Sequence, residues 1–199
     1  ERKEDEKSGA IETHLILLKK PMVLLYFLAI FCYVGTEQGV ANWISQFLAL
    51  YHDIDPQVQG AKTISNFWGM MTLGTLLGLL LLKFLDSRKV LIVTSVGTIF
   101  FLIAALFGST QQALIAFPLI GFFIATMWSI IISLALNSVA EAHGSFSGIL
   151  VTGIVGGAIV PFIVGALGDV FGLKTGMLFL FITLSFILSI GFWSKPLIN

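Results

Sequence analysis

Charge is scarce in this chain. Lys plus Arg number 11 and Asp plus Glu number 11 among 199 residues, so charged residues make up 11% and the formal net charge is zero. A soluble domain carries about 25% charged residues. This chain has too few to cover a water-facing surface, which excludes a soluble globular enzyme. The lack of a basic excess or stripe excludes a nucleic-acid binder. Cysteine occurs once, as Cys32, so there is no intrachain disulfide or multi-cysteine metal centre. His14, His52 and His143 stand far apart and outside any HExxH-type spacing, and no glycine-rich loop is placed to cradle a phosphate. No metal or other cofactor is expected.

Apolar residues are abundant instead. They form 57% of the chain, with 13% aromatic and a mean hydropathy of +0.98. That composition excludes disorder and leaves an integral membrane protein. Beyond Pro21, apolar stretches run over Met22–Leu50, Ile64–Leu85, Val90–Phe107, Ala113–Leu136, Ile149–Leu167 and Thr175–Trp193. Each is near the roughly 20 residues that a membrane-crossing helix needs. They are too long and too weakly alternating for barrel strands of about 10 residues. The predicted fold is all-α, a polytopic bundle of six transmembrane helices over residues 21–199. Residues 1–20 read as a separate charged segment with a short interfacial helix at Leu15–Leu18. They lack the apolar core and cleavage site of a secretory signal.

Positive charge orients the bundle. Arg2, Lys3, Lys7, Lys19, Lys20, Lys83, Arg88, Lys89 and Lys195 fall on one side of the six spans, and only Lys62 and Lys174 on the other. Both termini are therefore expected in the cytoplasm.

Of the acids, only Glu37 falls in mid-span. A charge there costs about 2.5–3.5 kcal/mol even on insertion scales, so Glu37 must be neutral, paired or facing water. It either bonds a neighbouring helix or takes part in substrate binding or proton coupling. Gln38, Asn42 and Gln46 recur every four residues beside it, a polar face that favours a cavity. Gly35 and Gly39 flank it and are expected to let the helix unwind locally. The fourth span has a weaker polar face of Thr126, Ser129, Ser133 and Asn137, with Trp128 near mid-membrane, where Trp is unusual. In a cavity, that ring can stack on the apolar face of a sugar. Asn66 and Trp68 lie near the outer end of the second span, while Tyr51 and Trp193 read as interfacial anchors.

Small residues form candidate sliding or packing faces: Gly74 and Gly78 on the second span, and Gly153, Gly157, Pro161 and Gly165 on the fifth. The six spans divide as 3+3, an arrangement expected of an inverted repeat.

The segments YVGTEQGVANW (Tyr33–Trp43), SNFWGMMTLGTLLG (Ser65–Gly78), LDSRKVL (Leu85–Leu91), MWSIIISLALNS (Met127–Ser138) and GGAIVPFIVGALGDVFG (Gly156–Gly172) supply a family reading. In this order they resemble the seventh to eleventh helices of the fucose/glucose proton-symporter family of the major facilitator superfamily. The resemblance implies the C-terminal half of a twelve-helix transporter in the inner membrane, paired with an N-terminal six-helix half, with residues 1–20 as the linker. On that resemblance, the Glu at position 1 reflects a piece of a longer chain. It further implies a monosaccharide as substrate and a proton, or sodium, as coupling ion. Glu37, Gln38, Asn42, Trp43, Asn66 and Trp128 would line the sugar site. The family's main coupling carboxylates lie in the other half, so Glu37 is expected to accept sugar hydroxyl bonds rather than to be the main proton carrier. One feature departs from the superfamily: its G-x-x-x-D-[RK]-x-G-[RK] loop finds Leu82 and Leu85 at its Asp and second Gly positions. Gly165, Asp169 and Gly172 match that spacing on the opposite side. Two other classes compete, an exporter of amphipathic drugs and a half-size membrane protein that works as a homodimer or assembles without transporting.

Overall fold

The computed structural model describes Leu17, residues 19–139 and residues 143–194, and these form helices and turns. The short interfacial helix expected near Leu15 falls outside the described residues except for Leu17, and Glu141 and Lys195 also fall outside them. Among the described residues, six helical spans are long and apolar enough to cross a membrane: Pro21–Ala41, Pro56–Leu81, Ser87–Phe107, Thr110–Leu136, His143–Phe171 and Leu173–Trp193.

Most spans are built from pieces. The first comprises α1 (Pro21–Ala41) and its extension α2 (Ile44–His52); the second, a turn at Pro56–Gly60 and α3 (Ala61–Leu81). The third is α4 (Ser87–Phe107), and the fourth α5 (Thr110–Ile124) with α6 (Met127–Leu136). The fifth joins α7 (His143–Thr152) through a 3-10 turn to α8 (Gly156–Phe171). The sixth joins α9 (Leu173–Met177) to α10 (Phe179–Trp193). The first and fourth spans, which correspond in a 3+3 arrangement, are each interrupted by a two-residue turn, at Asn42–Trp43 and Ala125–Thr126.

Helices begin before the apolar stretches do because the polar breaks supply their caps. Pro21 opens α1 at a position where its missing N–H costs nothing. Ser109 and Gln112 form a reciprocal capping box on α5, with Ser109 N–H donating to Gln112 Oε1 at 2.7 Å. Asp86 caps α4 by accepting from the amides of Arg88 at 2.9 Å and Lys89 at 3.3 Å. Desolvation pushes the Asp86 carboxyl pKa up, but those amides and the Arg88 guanidinium outweigh it and hold the pKa below its ordinary value. Asp86→Ala should cost about 1 kcal/mol of stability at neutral pH. Because the folded pKa is lowered, the contribution is present above the unfolded value and disappears as pH falls through the folded one. Thermal unfolding of both proteins along a pH series checks this; a gap that persists at the most acidic point would argue against the cap.

Packing depends on close backbone approach. α1 lies at the centre, against α8, α10 and α6. A Cβ at Gly156 would strike the Phe31 carbonyl, one at Gly74 the Phe122 carbonyl, and one at Gly78 the Thr126 side chain. Gly153 faces Ile30, and Gly157 faces Val34 and Gln38. Gly35 and Gly39 press on Val160 and Leu180, and α1 runs unbroken through both. They serve contact rather than unwinding, and the interruption falls further on, at Asn42–Trp43. Thr36 and Thr183, both buried, share a 2.7 Å hydroxyl bond between α1 and α10. Large apolar side chains such as Leu73, Leu76, Phe100 and Phe162 are exposed on the surface of the bundle.

The two aromatic span ends make contacts within the bundle. The Tyr51 hydroxyl accepts the Lys174 amide at 3.0 Å, and the Lys174 ammonium lies 5.0 Å above the Tyr51 ring. Beside them, His52 Nδ1 and Thr110 Oγ1 share a 3.2 Å bond that ties the end of α2 to the start of α5. Trp193 tilts against Tyr26 with centroids 5.3 Å apart, and its Nε1 donates to Ser189 Oγ at 3.1 Å.

Candidate functional site

Glu37 is half-buried on α1, one helical turn beyond Tyr33. That i, i+4 relation places both side chains on one face. The Tyr33 hydroxyl donates to Glu37 Oε2 at 2.6 Å, and Gln38 Nε2 donates to Oε1 at 3.1 Å. Each carboxylate oxygen thus has one neutral donor. No Lys, Arg or His forms an ion pair with it among the described residues. A carboxyl group offers more acceptor positions than the two these donors take among the described residues. Trp128, half-buried on α6, lies beside this group with its ring centroid 5.8 Å from that of Tyr33, at 53°.

The other expected residues divide into two sets. Asn42 and Gln46 are exposed along the first span, Asn66 on α3, and Ser129, Ser133 and Asn137 on the fourth span. The amides of Asn42, Gln46 and Asn66 form no side-chain hydrogen bonds among the described residues. The polar faces of the first and fourth spans are therefore open rather than sealed. The second set is committed to packing. Trp43 Nε1 donates to the Pro161 carbonyl at 3.1 Å, and its ring lies against Gly165. Pro161 is buried inside α8, where its ring removes one backbone donor. Trp43 therefore clamps the Asn42–Trp43 interruption onto α8 instead of joining the open amides. Thr126 also leaves the expected face: it is buried against Gly78. Asp169 is exposed near the end of α8. Sequence pattern does not single out Tyr33, because a tyrosine among aliphatics reads as core; its position one turn before the only mid-span acid is the available signal.

A central helix carrying a carboxylate, donors on both its oxygens, an aromatic plate and open amides defines a polar face inside a six-helix membrane bundle. That bundle has the fold of one half of a major facilitator superfamily transporter. It superposes on the crystal structure of FucP, a transporter of that superfamily in the outward conformation, with a TM-score of 0.85 and 21% identity, covering 98% of this chain and 48% of that one. In sequence, the chain resembles the glucose/galactose transporters of two strains of Brucella abortus, 33% identical over 175 residues. These matches cover 85% of this chain and 41% of each relative, so the chain spans about two-fifths of the length of the curated relatives it matches. No family model matches. The relatives and the fold are those of transporters, not enzymes.

Proposed function

We propose that this chain supplies one half of a monosaccharide transporter of the inner membrane, the C-terminal half, with both ends in the cytoplasm. Substrate passes between this bundle and an N-terminal six-helix half by alternating access, coupled to proton movement. The observation that carries the reading is the Tyr33–Glu37–Gln38 cluster beside Trp128. A sugar offers hydroxyl donors on its rim and apolar C–H faces above and below its ring. A carboxylate with free acceptor positions suits the first, and an indole plate suits the second. Asn42 and Asn66 supply amides for further hydroxyls. The relatives named for glucose and galactose make those hexoses the first substrates to test.

The intact protein in proteoliposomes should take up labelled glucose or galactose faster with an inward proton gradient than without one. Trp128→Ala should weaken sugar binding about tenfold, from loss of roughly 1–1.5 kcal/mol of stacking and apolar contact. Uptake indifferent to hexoses but active on amphipathic cations would replace this reading with drug export. Unchanged affinity in Trp128→Ala would reduce Trp128 to packing.

A further inference from the structure

We infer that Gly157 on α8 is a positioning residue of the sugar site: its bare backbone holds the Gln38 side chain on the course from which its amide bonds Glu37. This rests on the sugar site proposed above. Consecutive residues of a helix point about 100° apart and do not ordinarily face each other. The Gln38 amide nonetheless reaches back to Glu37 Oε1 at 3.1 Å, which only a particular set of side-chain torsions allows. Contact with α8 selects that set. A Cβ added at Gly157 would lie 3.2 Å from Gln38 Cγ and 3.8 Å from its Cβ, so the first two side-chain carbons of Gln38 lie over the glycine. With an alanine there, Gln38 Cγ has to give way by a few tenths of an ångström. The bond to Glu37 has little slack for that, since N–H···O contacts end at about 3.2 Å.

The other carboxyl oxygen is held independently. Tyr33, 3% exposed, donates to Glu37 Oε2 at 2.6 Å, and its ring lies against Trp128 on α6. Gly157 thus acts on one edge of the carboxyl group and leaves the other in place. With Oε1 released, the group is free to turn about the Tyr33 bond. The orientation in which it meets a sugar hydroxyl is then no longer set before the sugar arrives, and affinity falls with that loss of preorganisation. Val34 is the second neighbour of Gly157. Its Cγ1 would lie 2.9 Å from the same added Cβ, so packing and positioning meet at this glycine and have to be separated.

The test measures binding and equilibrium exchange of labelled glucose and galactose by the intact protein in proteoliposomes. Gly157→Ala should raise the dissociation constant about 2- to 10-fold, the range for one lost hydrogen bond. Half-saturation in exchange should rise by the same factor while the maximal rate stays unchanged. Gln38→Ala removes the Cγ and should weaken binding to a similar extent, and Gly157→Ala added to it should then have no further effect. If Gly157→Ala alone does not fold, the same cycle is run in a Val34→Ala background, which removes the tighter contact. A Gly157→Ala effect that persists in full beside Gln38→Ala, or that falls on the maximal rate instead of half-saturation, would overturn the positioning role in favour of general packing. Glu37→Gln is the reference. Weakened binding there with native affinity in Gly157→Ala overturns this inference alone, whereas native affinity in Glu37→Gln overturns the sugar site and this inference with it.

Discussion

If this chain serves as proposed, Glu37→Gln should raise the sugar dissociation constant of the intact protein by about 10- to 100-fold and remove most uptake, while leaving the fold intact. In the native site both carboxylate oxygens accept, one from Tyr33 and one from Gln38. Gln keeps a single acceptor oxygen and turns an NH₂ donor toward one of those two donors. The Tyr33 hydroxyl can turn to accept from that NH₂, so what is lost is the charge assistance of both bonds and the acceptor positions left for sugar hydroxyls. A hydrogen bond to a charged group contributes about 1.5–3 kcal/mol, which converts to that range in affinity. Glu37 is only half-buried, so the amide causes no packing conflict that would unfold the bundle. Equilibrium exchange and proton-driven accumulation separate its two candidate roles. Loss of a sugar ligand impairs both, whereas loss of a pure proton carrier impairs accumulation and spares exchange. Normal binding and uptake would remove Glu37 from the site. Tyr33→Phe takes away one donor without altering charge and should have the same direction with a smaller effect.

Gly156→Val lowers stability by about 3 kcal/mol, at the upper end for overpacking a core. At this position the obstacle is the Phe31 backbone, including its carbonyl oxygen, not the flexible tip of a side chain. The only relief is separation of α8 from α1. Such separation also disturbs the Trp43 to Pro161 bond further along α8 and the contact of Gly153 with Ile30. Helices in a membrane gain little from burying apolar area against one another, because lipid is equally apolar, so close packing carries their association. Thermal unfolding in detergent measures the loss. Gly144→Ala serves as the control: among the described residues nothing lies within 4 Å of an added Cβ there, and its effect should stay within about 0.5 kcal/mol. A Gly156→Val protein melting with the wild type would contradict the close α1–α8 approach.

Glu37 is legible in the sequence because a mid-span acid stands out against aliphatic neighbours. Its partner Tyr33 does not stand out, although it lies one turn away. The amides Gln38, Asn42 and Gln46 are legible from four-residue periodicity. Which of them face open space depends on the helices packed around them. Trp43 illustrates the limit: sequence proximity groups it with Asn42, but its indole reaches α8. Thr126 is the same case on the fourth span, where the contact with Gly78 decides its burial. Gly35 and Gly39 read as points of flexibility, yet a glycine in a helix also permits contact, and only the positions of Val160 and Leu180 distinguish the two.

Six helical membrane spans follow from the order of residues alone. Hydrocarbon admits neither unpaired backbone nor unshielded charge, so span number, polar breaks and the isolated acid are written in composition and spacing. Three-dimensional packing settles the rest: which polar residues share the open face, where the first and fourth spans are interrupted, and which glycines bring backbones together. Those outcomes depend on contacts between residues far apart in the chain, such as Trp43 with Pro161 and Thr36 with Thr183. Periodicity along one helix specifies its faces but not which neighbour each face will meet.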